Sequence, residues 1–151
     1  MLSRLTVSNL AVVEQAEAEF ASGLNVLTGE TGAGKSVLMG ALELVLGGRA
    51  DSSVVRDGAK EARVEATFAV SRRLQPKVAA ILDEVGLPPC EDGEMIVRRT
   101  IAAGGGGRAW VNDAATTVST LRRLGAELVD VHGPRANQKL LEDGFQLSVL
   151  D

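Results

Sequence analysis

Gly29-Glu30-Thr31-Gly32-Ala33-Gly34-Lys35-Ser36 fills every fixed position of the pattern G-x-x-x-x-G-K-[ST]. Glycine at 29, 32 and 34 permits backbone conformations that a Cβ penalises, so that successive N–H groups can turn inward around an anion. A helix starting at this point adds the positive end of its dipole. Lys35 is then placed to reach the β- and γ-phosphates of a nucleotide as a point charge. The Ser36 hydroxyl suits a Mg²⁺ ion bridging the same two phosphates. The whole run from Gly29 to Ser36 is therefore expected to cradle a nucleoside triphosphate.

That chemistry needs a strand before the glycines and a helix after them. Residues 24–28 read as a short buried strand, and residues 36–46 as an amphipathic helix stopped by Gly47-Gly48. Two strands lead in, residues 2–7 and 12–20, with a turn at Ser8-Asn9-Leu10. After a polar, turn-rich stretch at 49–60, residues 61–70 alternate with Val64, Ala66, Phe68 and Val70 on one face, as a strand does. Leu74, Val78, Ile81, Leu82 and Val85 recur at helical spacing, predicting a helix over 72–85 ended by Gly86 and Pro88-Pro89. Strands are expected at 95–101 and 108–111. The glycines 104–107 between them read as a hairpin tip and not as a second phosphate cradle, because no helix with a Lys-Ser/Thr start follows. Asn112-Asp113 predicts a tight turn, and 118–124 a short helix with Arg122-Arg123 on its solvated side. A short apolar strand at 127–131, a polar loop at 132–138 and a helical pattern from 140 to 151 complete the reading.

Composition bounds the function classes. The chain has 151 residues, one domain's worth or part of one, with 45% hydrophobic and 24% charged residues, as in globular proteins. Aromatics are only 3%, so Leu, Val, Ile and Ala must build the core. No apolar run is long enough to span a bilayer, and Met1-Leu2-Ser3-Arg4 leads straight into a strand pattern, so a cytoplasmic protein is expected. Cys90 is the lone cysteine, which leaves neither an internal disulfide nor a multi-cysteine metal site. A net charge of −4 argues against a whole-surface footprint on nucleic acid. Arg72, Arg73 and Lys77, on one predicted helix, form the best local basic cluster, for which a solvated face is the favoured reading. His132 reads as a backbone-bonding residue, since no partner base or metal set accompanies it. Leu128-Val129-Asp130 is the only look-alike of an apolar strand ending in a Mg²⁺ aspartate. Its apolar run is too short and no Glu follows, so Asp130 is not assigned that role.

The stretches Leu5 to Asn9, Gly23 to Ser36, Gly58-Ala59-Lys60, Gly107-Arg108 to Asn112, and His132-Gly133 through Gln138 to Asp151 together cover nearly the whole chain. Through them the sequence resembles the N-terminal half of the head domain of SMC-like ABC ATPases, and among those the bacterial RecN family of DNA double-strand-break repair. The resemblance implies an α/β fold, a P-loop NTPase of the ABC/SMC head type (N-terminal lobe) with a mixed sheet and antiparallel lead-in strands. Residues 1–151 would form the N-terminal half of the head and lead into a coiled coil beyond 151. ATP and Mg²⁺ are the implied cofactors, and Gln138 the implied Q-loop glutamine, contacting Mg²⁺ and the attacking water. An amide suits that task because it accepts from water and ligates metal without adding charge. An arginine near the nucleotide phosphates is implied at Arg56, with Arg49 the alternative.

The implied partners are the C-terminal half of the same head, a second head in a homodimer, and DNA, at double-stranded ends, with no membrane. The implied location is the bacterial nucleoid. The function implied is ATP-driven head dimerisation and DNA tethering in recombinational repair. The alternative is the nucleotide-binding subunit of an ABC transporter. Transport subunits reach their Q-loop after a simpler core, whereas here a strand, a glycine hairpin and a short helix precede Gln138. A small P-loop kinase would need a complete Mg²⁺ carboxylate and an acceptor site, and neither is visible. The chain alone is expected to bind ATP without hydrolysing it efficiently.

Overall fold

Strict alternation of apolar and polar residues produces strands that bury one face. The computed structural model describes residues 2–19, 25–26, 31–50 and 52–128, with backbone alone at 25–26 and 31–36. Its elements in chain order are β1 (Leu2–Leu10), β2 (Val13–Glu19), β3 (Asn25–Val26), α1 (Thr31–Val45), a 3₁₀ turn (Ser52–Val54), β4 (Glu61–Ala69), α2 (Gln75–Glu84), β5 (Glu94–Ala102), β6 (Gly107–Val111), β7 (Ala114–Thr116) and α3 (Val118–Leu128). The strands form one sheet in the order β3-β2-β1-β4-β5-β6-β7. Every pairing among them is antiparallel, including the lead-in pair β1 and β2.

Register aligns the apolar residues of neighbouring strands. Val7 lies opposite both Ala16 and Val64, and Phe68 opposite Met95. These residues, with Leu5, Ala18, Ala62, Ala66 and Val97, make a buried face. α1 lies across it against β1, β2, β4 and β5, contributing buried Leu38, Ala41, Leu42 and Val45. Full burial of each Leu, Val or Phe contributes about 1.5–3 kcal/mol, so this layer dominates the stability of the fold. The opposite face is polar. There Arg4 meets Glu19 at 2.7 Å and Glu17 at 3.2 Å, and the Arg98 guanidinium lies 4.9 Å from the Trp110 ring centre. With Arg4 half-exposed, these ion pairs contribute at most about 1 kcal/mol.

Several expectations are corrected. β1 runs on to Leu10, so the first turn falls at Ala11 and Val12, with Asn9 and Ala11 both at φ 54°. The helix expected over 72–85 is shorter. Pro76 sits in its first turn, where a missing N–H costs nothing, and Arg72 and Arg73 precede it. Only Lys77 of the basic cluster is on α2, and it lies 4.0 Å from Glu127. β7 was not foreseen, because three residues are too few to show a period. The strand expected over 127–131 is corrected at its first two residues: Glu127 and Leu128 belong to α3, whose buried Leu121, Leu124, Gly125 and Leu128 keep helical spacing to its end, while 129–131 lie outside the described residues. The loop at 132–138 and the helical pattern at 140–151 lie outside the described residues.

Candidate phosphate site at the start of α1

Part of the run expected to hold phosphate, Thr31 to Ser36, begins α1, the longest helix among the described residues. Asn25–Val26 pairs with Ala18 and Glu19 of β2, and α1 starts at Thr31. Thr31, Gly32, Ala33, Gly34, Lys35 and Ser36 therefore all lie in the first turns of α1, while Gly29 and Glu30 lie outside the described residues. The sequence places the helix start at Ser36, five residues late, because the apolar period begins only at Val37 and Leu38. Two glycines inside the first turns each cost about 1 kcal/mol of helix propensity relative to alanine. Tertiary packing of the rest of α1 outweighs that cost: Val37, Leu38, Ala41, Leu42, Leu44 and Val45 are all buried.

The far end of α1 is heavily tied down. Gly47, at φ +95°, donates to the Leu44 carbonyl at 3.1 Å, and Gly48 donates to that of Glu43 at 2.8 Å, forming a Schellman stop. Arg99 of β5 donates from one Nη to the carbonyls of Leu44, at 2.8 Å, and Gly48, at 2.5 Å. Its side chain is sunk in the core at 7% exposure. Burial, with the nearby Arg122 charge adding to it, lowers the Arg99 pKa from its ordinary value, yet an arginine stays charged. Arg122 of α3 donates to the Gly47 carbonyl at 3.3 Å. Sequence reasoning put Arg122 and Arg123 on a solvated face. Both are exposed; from there Arg122 also reaches this helix end, and Arg123 pairs with Glu84 at 3.1 Å. Arg99 escaped notice because a charged residue in an apolar strand pattern carries no local signal of a carbonyl partner.

The two arginines proposed near phosphate lie on the segment after α1. Arg56 is half-buried. Its N–H donates to the Asn9 carbonyl at 2.9 Å and its own carbonyl accepts from Ala59 at 3.0 Å, fixing the backbone beside the end of β1. Arg49 is exposed and lines a cavity of about 400 Å³ between α1 and the 3₁₀ turn, together with Val37, Gly40 and Leu44. Among the described residues neither guanidinium makes an ion pair. Gln138, His132 and Asp130 lie outside the described residues, so their distance from α1 is not defined. Cys90 is half-buried, and among the described residues no group of His, Cys, Asp and Glu is arranged to hold a metal. No helix among them is long and apolar enough to cross a membrane.

Comparison with known proteins narrows this arrangement. The family model described as AAA domain matches residues 4–142. The chain is 40% identical over 151 residues to the DNA repair protein RecN of Vibrio cholerae, covering all of this chain and 26% of that protein. It is 44% identical over 152 residues to RecN of Xylella fastidiosa and 38% over 151 residues to RecN of Bacillus subtilis, again covering all of this chain and 26% of each. The chain thus spans about a quarter of the length of these relatives. In structure it is similar to an SMC ATPase studied for ATP-driven dimerization and DNA-stimulated activation, with a TM-score of 0.61 and 19% identity over 94% of this chain and 98% of that one. It is likewise similar to the recombination mediator RecF in its ATP form, with a TM-score of 0.55 and 21% identity over 99% of this chain and 38% of that one. Those two likenesses establish the fold, an ATPase-head lobe of the SMC and RecF kind. The chain belongs to the AAA domain family, and in sequence it is RecN-like from end to end.

Proposed function

We propose that this chain is the ATP-binding half of an SMC-like ATPase head acting in recombinational repair of DNA double-strand breaks. The observation that carries the reading is a phosphate-loop run complete in the sequence, whose Thr31 to Ser36 begin α1, in a chain matched along its whole length by DNA repair proteins. Because those relatives are repair proteins, the transport-subunit reading is set aside.

The residues present fit a magnesium triphosphate. The carbonyl end of α1 carries two arginines, and its amide end carries Gly32, Gly34, Lys35 and Ser36 with no carboxylate among residues 31–36. Backbone N–H groups from Gly29 to Gly34 would hold phosphate oxygens, Lys35 would neutralise the β- and γ-phosphates, and Ser36 with Gln138 would hold the metal. Mg²⁺, when bound, offsets charge developing between the β- and γ-phosphates. Gln138 orients the attacking water, and Arg56, or Arg49 in its place, meets developing charge with fixed donors. The Mg²⁺ aspartate, the general-base glutamate and the signature loop are assigned to the C-terminal half of the same head and to a second head across a homodimer. Phosphoryl transfer needs these groups positioned together, so residues 1–151 alone bind nucleotide and stall.

DNA, at double-stranded ends, is the proposed partner of the assembled protein, in the cytoplasm at the nucleoid. With a net charge of −4, this part contributes only weak, salt-sensitive contacts to it. The test uses the full-length protein with linear duplex DNA, measuring ATP turnover and end-to-end bridging. ATP-dependent bridging that is lost in Lys35→Ala supports the reading, and bridging and turnover indifferent to that substitution contradict it.

A further inference from the structure

The C-terminal end of α1 is joined to the rest of the fold more tightly than a helix stop requires. The Schellman bonds at Gly47 and Gly48 already satisfy two of the last carbonyls. Arg99 then adds a core-buried cation bonded to the carbonyls of Leu44 and Gly48, and Arg122 brings a second cation to that of Gly47. Glycines make the approach possible: a Cβ on Gly47 would fall 2.4 Å from Arg122 Cγ, and one on Gly125 of α3 would fall 2.9 Å from the Leu46 carbonyl oxygen. β5 and α3 thus both grip one end of the helix whose other end carries Lys35 and Ser36.

A buried arginine is costly unless its hydrogen bonds are made, and here apolar residues around α1 would satisfy packing alone. What the two cations add is direction. They sit at the negative end of the α1 dipole and hold its last carbonyls to β5 and α3, so the helix cannot slide or tilt along the sheet without breaking charge-assisted bonds. We infer that Arg99, seconded by Arg122, is a positioning residue for nucleotide binding, holding α1 at the one placement on the sheet where its amide end meets the phosphates. The inference rests on the nucleotide reading given above. Its physical content is pre-organisation: when α1 is held in a single placement, the binding-competent state is the dominant one, and when it is released, apparent affinity falls in proportion to the competent fraction.

The test is a calorimetric titration of Mg-ATP into the full-length protein and its Arg99→Met, Arg99→Lys, Arg122→Met and Lys35→Ala variants, with the melting temperature of each measured alongside. Arg99→Met is expected to weaken binding about tenfold, the loss expected when the competent fraction falls to roughly a tenth. Arg99→Lys, which keeps a donor cation at the carbonyls, should recover most of that loss. Arg122→Met should weaken binding by a smaller factor, about threefold on the same reasoning. Its exposed side chain makes it the variant that decides the matter if Arg99→Met does not fold. A purely architectural role predicts a lower melting temperature with unchanged affinity, and that result overturns the inference. Wild-type binding that Lys35→Ala removes while Arg99→Met and Arg122→Met keep it overturns the inference alone. Failure of the wild-type protein to bind Mg-ATP overturns the nucleotide reading with it.

Discussion

Asn112 completes the β5 ladder with both its backbone and its side chain: its N–H donates to the Ile96 carbonyl at 2.8 Å, and its Oδ1 accepts from the Ile96 N–H at 3.0 Å. Its amide nitrogen also donates to the Pro88 carbonyl at 3.0 Å. It does so at φ 51°, followed by Asp113 at 68°, a paired left-handed turn that asparagine and aspartate tolerate better than other non-glycine residues. Asn112→Ala removes the acceptor of Ile96 and leaves alanine in the left-handed region, so it should destabilise the protein by about 2 kcal/mol. Asn112→Gly relieves the backbone strain but not the lost bonds, and should cost less. Chemical denaturation of the variants would check the order, and an alanine variant as stable as wild type would contradict it.

Cys90 offers a pH readout of the same corner. Burial raises its thiol pKa, and a hydrogen bond with the Asn112 side chain lowers it by less. A thiol raised in the folded state contributes stability that is present below its unfolded pKa and is lost as pH rises through the folded value. Stability should therefore fall as pH passes upward through the ordinary thiol range, and Cys90→Ser should flatten that fall. Iodoacetamide should modify Cys90 more slowly in the folded protein than in urea at the same pH. Equal rates would show that the thiol is not shielded.

Arg56→Ala addresses the segment after α1. Its backbone bonds to Asn9 and Ala59 persist in the variant, so the local path of the chain should hold. In the complete protein, turnover should fall by at least about tenfold with little change in KM, the pattern of a group acting on developing charge. Arg49→Ala serves as the comparison, because Arg49 lines the cavity beside Val37. An unchanged kcat in Arg56→Ala with a reduced kcat in Arg49→Ala would transfer the role to Arg49.

Much of this fold was legible because the core face is written in strict alternation. Val64, Ala66 and Phe68 announce β4, and all three are fully buried. The glycine hairpin was legible from four consecutive glycines, and Gly105 and Gly106 do take positive φ, at 104° and 83°. What escaped has a common physical cause: it depends on partners distant in sequence. The early start of α1 has no apolar residue to mark it, and β7 exists only because β6 offers an edge. Arg99 looks like a solvated charge, and the exposed Arg122 like one without a carbonyl partner, until the carbonyls of residues 44 to 48 are brought to them. Of the phosphate-loop run, Thr31 to Ser36 lie in the first turns of α1, whereas Gly29, Glu30 and Gln138 lie outside the described residues.

The central claim is that the run ending in Lys35-Ser36 holds a nucleotide. Calorimetric titration of Mg-ATP into purified residues 1–151, beside a Lys35→Ala variant shown by circular dichroism to be folded, tests it most directly. Saturable binding by the parent chain that needs Mg²⁺ and is abolished by Lys35→Ala is the predicted result, since Lys35 supplies phosphate charge and not packing. Equal ATP binding by the two folded proteins would contradict the account.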